Sequence, residues 1–294
     1  MFARKSFVNW MRCDAEDTVR ILVIGGGISG HLVKLRVPAS TVLDSRPEPT
    51  PMTRQYGGNY LWERLDGIDC RAFTVYTTVD GQPPDEQKVR AYKTKIGKGM
   101  DANWREQFRP EVTGYEIARW PRSLDIEYGM QVKYIDRAEQ AVYTQVEGDI
   151  HRMPYDALIS TIPLPALMSM TFMPRLDLKF MPIHVHTSTI PPDAVRKNGS
   201  WMVNYISDPD IPAYRTTDRD GTRHYESLVA TGIPTKKIVP GKIWPHREVL
   251  GILTGLASDH IYCFGRFARW SPEELVHETD MAIQTWARQM GVGA

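Results

Sequence analysis

Three glycines and one acid carry the most chemistry in this sequence: Gly25-x-Gly27-x-x-Gly30, with Asp44 19 residues after the first glycine. Bare backbone at Gly25 permits a tight turn, and at Gly27 it lets a pyrophosphate come close. Gly30 lets a helix lie against a strand, and the N-terminus of that helix turns its positive end toward an anion. An acid about 20 residues on is placed to accept the two hydroxyls of a ribose. The pattern therefore reads as dinucleotide binding, provided that a strand precedes the glycines and a helix follows them. The flanks meet that demand. Ile21-Leu22-Val23-Ile24 is a short apolar strand, His31 to Val37 gives about two helical turns before Pro38 stops them, and Thr41-Val42-Leu43 is a second strand ending at Asp44. The unit is β-α-β.

Other residue groups are weaker candidates. His184-x-His186 sets two imidazoles on one face of a strand, but no Cys or carboxylate lies at ligand spacing, so no metal is expected. Lys88, Arg90, Tyr92, Lys93, Lys95, Lys98, Trp104, Arg105, Phe108 and Arg109 interleave cations with aromatics, a pattern suited to phosphates and stacked bases and equally to a solvated loop. Arg119-Trp120-Pro121-Arg122 has the same character. No GxSxG, HExxH, P-loop or kinase motif is present, which argues against hydrolase and phosphotransfer chemistry.

Composition sets the bounds. The 294 residues carry 36 Lys+Arg against 35 Asp+Glu, a net charge of +1, so any nucleic-acid contact must rest on a local patch. Cys13, Cys70 and Cys263 are far apart and form no framework, which favours a reducing, cytoplasmic setting. The first twenty residues lack the apolar run of a signal peptide, and no stretch approaches the ~18 apolar residues of a membrane span, so no membrane partner is expected.

The rest of the chain reads as follows. Residues 46–56 are a Pro-, Thr- and Arg-rich surface loop, and residues 60–130 show no sustained period. A strand hairpin spans about 131–150, and Ala157 to Ile162 is an apolar strand ended by Pro163. Ile183 to Ile190 and Trp201 to Ile206 belong to a sheet-rich second lobe. Ile261 to Phe264 is a strand leaving through Gly265-Arg266, and Pro272 to Met290 a helix with Ser271 as N-cap and Glu273-Glu274 in its first turn.

Four separated stretches resemble the FAD-dependent amine-oxidase superfamily, particularly its branch containing UDP-galactopyranose mutase. They are Val23 to Gly30 with Gly57-Gly58-Asn59, Tyr155 to Pro165, Asp208 to Arg215, and Phe264 to Trp270 with Asp280. The resemblance implies an α/β fold: an FAD/NAD(P)-binding Rossmann-like domain with an inserted β-rich substrate domain. It assigns 18–60, 150–170 and 255–294 to a discontinuous FAD-binding domain, and 61–149 and 171–254 to a substrate-binding lobe. FAD would be held by Gly25, Gly27, Ile28, Ser29, Gly30, Asp44, Ser45, Arg46, Gly57, Gly58, Asn59, Thr161, Pro163, Gly265, Arg266 and Asp280, with Arg266 close to the flavin. Arg215 would hold a substrate phosphate, with Tyr214 and Trp270 beside it. The mutases' Trp-x-Tyr stands here as Trp270-Ser271-Pro272, so their tyrosine is missing. No residue is singled out as a general base. The implied activity is FAD-dependent oxidation of an amine-bearing, phosphate-containing substrate, small or nucleotide-linked, with nucleic acid reached through the Lys88–Arg109 segment. A mutase-like non-redox flavin reaction is the alternative, and a non-catalytic nucleotide- or nucleic-acid-binding protein is the alternative of another class.

Overall fold

The computed structural model describes residues 19–47, 60–120, 124–191, 199–233 and 235–293. In chain order the elements are β1 (Ile21–Ile24), α1 (Ile28–Arg36), β2 (Thr41–Asp44), β3 (Asp69–Val79), α2 (Glu86–Lys95), α3 (Trp104–Gln107), β4 (Glu111–Arg119) and β5 (Ile126–Tyr128). They continue with β6 (Gln131–Asp136), β7 (Ala141–Val146), β8 (Asp149–Pro154), β9 (Ala157–Ser160), α4 (Leu164–Met170), β10 (Phe180–Thr189), β11 (Trp201–Tyr205), β12 (Ala213–Arg219) and β13 (Thr222–Ser227). The last are β14 (Lys236–Ile243), α5 (Val249–Ser258), β15 (Ile261–Cys263) and α6 (Val276–Gln289). The chain divides into two compact units: residues 1–52, 122–179 and 243–294, and residues 53–121 and 180–242.

The first unit is built on a five-stranded sheet in the order β15-β9-β1-β2-β5, with every pairing parallel. Parallel strands need crossovers that cover both faces, which is why β1 and β9 are buried at all four positions and read as continuous apolar runs and not as alternating ones. The sheet-and-helix architecture with a separate β-rich unit is the α/β fold expected from the sequence. α1 and α6 are joined by a forked ion pair: Arg36 Nε and Nη2 reach Asp280 Oδ1 and Oδ2 at 2.8 and 2.6 Å. Gln284 donates to the same carboxylate at 2.9 Å.

The division differs from the sequence reading. Strands β6, β7 and β8 form a three-stranded meander where a hairpin was expected. It lies in the first unit, not the lobe, because Val132, Ile135, Val142 and Met153 share one core with Leu22 and Leu158. Residues 171–179 and 243–254 also fall in this unit, and Val249 and Leu256 of α5 bury into that same core. The last helix starts at Val276, four residues later than its predicted first residue. Residues 271–274 turn first, with Glu274 N–H bonded to Ser271 O at 3.3 Å, and Glu278 then caps the Leu275 N–H at 2.8 Å.

The second unit is a seven-stranded sheet in the order β14-β10-β13-β12-β11-β3-β4. Residues 60–130, which carry no sequence period, supply its longest strand, β3, and the helix α2. That helix packs through Val89, Tyr92 and Ile96 on Val79, Phe108 and Tyr214. Asp85 caps its N-terminus by accepting the Lys88 N–H at 2.9 Å.

Asp280, expected beside the cofactor, is 3% exposed and committed to Arg36. Removing one member of a buried pair costs about 3–5 kcal/mol. Asp280→Ala is expected to lower the thermal midpoint markedly without specifically impairing nucleotide binding at the folded protein. A variant that keeps its midpoint and loses only nucleotide would return Asp280 to the cofactor site.

Candidate functional site

The glycine loop is held from three sides. Gly25 has φ +103°, a conformation L side chains rarely adopt, and a Cβ there would also meet Thr161 Oγ1 at 2.6 Å. That hydroxyl lies 3.0 Å from Ile24 O and 2.9 Å from Gly25 O, and Thr161 N–H donates to Ile24 O, so β9 fixes the exit of β1. Gly30 is buried so closely under the loop that any Cβ would overlap Gly25 O. Gly27 is different. Its φ is −73°, and a Cβ there would meet nothing within 4 Å. The loop thus presents open space at the one glycine whose predicted task is ligand approach. α1 opens with neither a side-chain cap nor an acid in its first turn, which leaves the N-terminal N–H groups at Ile28 and Ser29 for an anion.

Asp44 is buried at the end of β2 and accepts the Gly26 N–H at 2.8 Å and the Arg46 N–H at 2.8 Å. The Arg46 guanidinium lies against both carboxylate oxygens, with Nε at 3.0 Å from each, and its Nη2 donates to Gly26 O at 2.6 Å. Burial alone would raise this carboxyl's pKa. The Arg46 side chain and backbone outweigh that effect and hold it below its ordinary 3.8. Ser45 is exposed between them. His31, which sequence reasoning passed over, faces the same loop: its Nδ1 is 2.9 Å from Gly27 O, and burial pushes the imidazole below 6.5. Gly27 O accepts from Nδ1 only in the tautomer that carries the proton there.

The C-terminal strand exit reaches the same loop. Gly265 has φ +97°, and a Cβ on it would meet Ser29 Oγ at 2.5 Å. Arg266 follows, half-buried, its guanidinium 5.9 Å from the Phe267 ring centroid. Pro163 ends the β9 turn as the N-cap of α4. Gly25, Gly27, Ile28, Ser29, Gly30, Asp44, Arg46, Thr161, Gly265 and Arg266 therefore gather at one end of the parallel sheet. Gly57, Gly58 and Asn59 lie outside the described residues.

The expected substrate residues have other surroundings. Arg215 forms an ion pair with Glu226, a buried acid that sequence reasoning missed, and Tyr214 donates its hydroxyl to the same carboxylate. Burial raises the Tyr214 pKa well above 10, so its proton stays on. β12 and β13 bring Arg215 and Glu226 directly opposite one another, a juxtaposition set by register across a turn. Trp270 is 2% exposed, lies in the core of the first unit and donates from Nε1 to Trp244 O at 3.0 Å, which makes it a packing residue.

The cation-rich segment is folded, and most of its charges have partners. Lys88 pairs with Asp85, Arg90 with Glu86, and buried Lys93 with Asp101 and Gln107. Lys95 Nζ donates to the carbonyls of Asp208, Ile211 and Ala213 at 2.6, 2.8 and 2.8 Å. Tyr92 and Phe108 are core residues and so are not displayed for stacking, and Trp104 is partly buried against them with Arg105 over its ring at 4.8 Å. His184 contacts Thr235 Oγ1 at 3.3 Å, His186 stacks on Tyr225, and no cluster that could hold a metal exists among the described residues. Cys263 is inert at neutral pH, its thiol pushed up to about 12 by burial. No helix among the described residues is long and apolar enough to cross a membrane.

A parallel sheet with a glycine loop after its first strand, joined to a separate mixed sheet, is a fold with solved counterparts. Reduced UDP-galactopyranose mutase superposes with a TM-score of 0.62 at 14% identity, over 93% of this chain and 94% of that one. A CLA-producing fatty acid isomerase from P. acnes gives 0.51 at 12%, over 92% and 98%. The tetracycline destructase Tet(51) gives 0.51 at 10%, over 94% and 83%. No family model and no curated protein matches the sequence. At these identities the likeness establishes the fold: an FAD/NAD(P)-binding Rossmann-type architecture, like that of the mutase.

Because Asp44 sits below 3.8 in the folded chain, its contribution to stability is present above that pH and is lost as pH falls through the depressed value. Arg46→Ala removes the groups that depress it. Its acid-unfolding midpoint, followed by circular dichroism against pH, is expected to move to higher pH than wild type, and an unchanged midpoint would contradict the Asp44–Arg46 assignment.

Proposed function

We propose that this protein is an FAD-dependent flavoenzyme, an oxidoreductase acting on an amine-bearing substrate. The observation that carries the reading is the loop from Gly25 to Gly30. Three of its four glycines, Gly25, Gly26 and Gly30, are sterically constrained by the fold, while Gly27 faces open space beside an uncapped helix N-terminus. A fold alone would require Gly25, Gly26 and Gly30. A bare Gly27 fits the close approach of a pyrophosphate.

The residues fit the cofactor's chemistry. Gly25, Gly27 and the N–H groups of Ile28 and Ser29 would hold the pyrophosphate. Asp44, with Ser45 and Arg46, would take the adenosine ribose, the Arg46 guanidinium giving way to the two hydroxyls. Gly265 lies against Ser29, which supports Arg266 as the cation nearest the flavin, where it would orient the ring and balance negative charge on it. When bound, the isoalloxazine supplies two-electron chemistry, and the protein's part is binding, orientation and electrostatics. The amine substrate rests on the resemblance carried by the four sequence stretches.

A mutase-like non-redox reaction is the second reading, favoured by the extent of the fold likeness. Against it stand the missing tyrosine after Trp270 and the burial of Trp270 itself. The phosphate on the substrate depends on Arg215, whose pairing with Glu226 must then loosen or be shared on binding. A nucleic-acid-linked substrate draws little from Lys88, Arg90, Lys93 and Lys95, all of which have intramolecular partners.

Gly27→Ala separates cofactor binding from folding. The methyl meets nothing in the fold, so the unfolding free energy of the apoprotein is expected to stay within about 0.5 kcal/mol of wild type, while FAD released on denaturation and measured by chromatography falls at least ~10-fold. Gly30→Ala is expected to unfold the unit. Wild-type FAD content in Gly27→Ala, or no FAD in reconstituted wild type, would overturn the reading. For the substrate, turnover of a phosphate-bearing amine is expected to weaken as ionic strength rises, and Arg215→Ala to raise its KM. Salt-insensitive turnover of an uncharged amine, unchanged in Arg215→Ala, would remove the phosphate and leave the flavoenzyme.

A further inference from the structure

The sheet of the second unit has two faces of different chemistry. Residues directly opposite one another across paired strands share a face. Asn204 lies opposite Thr216, Thr216 opposite Tyr225, and Asp218 opposite Arg223, so these five stand together. Arg215 and Glu226 also lie opposite one another and stand on the other face, where Trp201 packs with Phe73 and Tyr60. The first face lines a cavity of roughly 530 Å³, a size typical of small-molecule sites.

Its charges cancel within the wall. Arg219, Arg223, Asp218 and Asp220 all border it, 2 − 2 = 0 in charge, and the Arg219 guanidinium itself turns to the other face, over the Trp201 ring at 4.5 Å and onto Glu116 at 3.0 Å. Arg223 grips both oxygens of Asp218 at 2.6 Å, and Arg219 Nε lies 3.2 Å from Asp220. An anion would find these guanidiniums already matched, and a cation would find the carboxylates already matched.

Neutral hydrogen-bonding capacity is nevertheless left over. Asn204 Oδ1 accepts from Thr78 Oγ1 and from Gly81 N–H, both at 2.8 Å, which fixes the carboxamide's orientation. Its NH2 group then presents two donors that have no protein acceptor among the described residues. The Thr216 hydroxyl, on a residue 9% exposed, likewise has no protein partner among them. Tyr225 adds a flat apolar surface, braced by the His186 ring 4.4 Å away at an interplanar angle of 3°. Met202 and Ile190 supply further apolar wall.

We propose that this cavity binds a neutral carbohydrate of pyranose size, free or as one unit of a glycan. A sugar offers hydroxyls that both accept and donate, which suits the Asn204 donors and the Thr216 hydroxyl. It also offers a C–H face that packs on an aromatic ring. No ionic group is needed on the ligand, and the wall supplies none unmatched. The site lies wholly within the second unit and does not depend on the flavin reading.

The test is a titration of the full chain, followed by saturation-transfer NMR and calorimetry. The probes are methyl α-D-glucopyranoside and methyl β-D-galactopyranoside, with glucosamine and glucose 6-phosphate as charged counterparts and a trisaccharide to separate the free from the glycan-borne sugar. At least one neutral glycoside is expected to saturate with Kd on the order of 1 mM, and its charged counterparts to bind at least ~10-fold more weakly. Asn204→Asp keeps both accepted bonds but replaces the donors with a charge, and Thr216→Val keeps shape but removes the hydroxyl. Each is expected to weaken binding ~10-fold with the thermal midpoint and FAD content of wild type. The proposal fails if no neutral probe saturates by ~100 mM, if the charged sugars bind as well, or if both variants bind as wild type does. Should one variant misfold, the other decides.

Discussion

Everything at the glycine-loop end of the first unit's parallel sheet depends on one close approach, that of Gly30 in the first turn of α1 to the carbonyl of Gly25. No side chain can stand between them, so the helix is drawn onto the end of β1 and its N-terminal N–H groups are brought to where the strand stops. The positions of Thr161, Asp44 and Gly265 follow from that contact. Thr161 braces the carbonyls of Ile24 and Gly25, Asp44 receives the Gly26 N–H, and Gly265 abuts Ser29. A wider spacing between helix and strand would disperse all three. Steric exclusion at one residue thus organises polar groups drawn from four separate strand ends.

The site is built almost entirely of backbone and of groups already bonded to one another. Such pre-organisation lowers the ordering cost of binding a ligand, because few rotamers remain to be fixed. It also sets a condition on the proposed function: Arg46 satisfies Asp44 within the chain, so a ribose bound there would have to offer hydrogen bonds good enough to replace a charge-assisted one. The second unit uses the same device for another end. Arg215 is matched by Glu226 and Arg223 by Asp218 within the sheet, and Lys93 of α2 by Asp101, so these cations are neutralised inside the unit.

How much could be read from the sequence depended on whether the signal was local. The β-α-β start was legible because Gly25, Gly27, Gly30 and Asp44 act through spacing along one short stretch, and the strands at 157 and 261 because they are short apolar runs bounded by turn residues. The meander β6 to β8 was legible as strands but not as part of the first unit, since that membership is decided by Val132 and Met153 burying against Leu22, far away in sequence. Glu226 was invisible for the same reason: only strand register sets it opposite Arg215. For Asp280 and Trp270 a motif resemblance assigns a neighbourhood without reporting the partner within the fold, which is Arg36 in one case and Trp244 in the other. The cations of α2 were left between a solvated loop and a phosphate-binding run because a helix with Asp85, Glu86 and Asp101 as partners has too weak an apolar period to announce itself.

The Arg36–Asp280 pair joins residues 244 positions apart in the chain, and that separation has a kinetic meaning. The first unit assembles from three stretches, and its edge strand β15 and helix α6 are made after the strands β1, β2, β5 and β9 that they join. Until they arrive, β9 has an unpaired edge and Arg36 has no carboxylate. Closing so long a loop adds entropy cost only slowly with length, but it places the rate-limiting contacts late. A truncation before β15 would therefore leave β9 with an unpaired edge, the kind of surface on which aggregation begins.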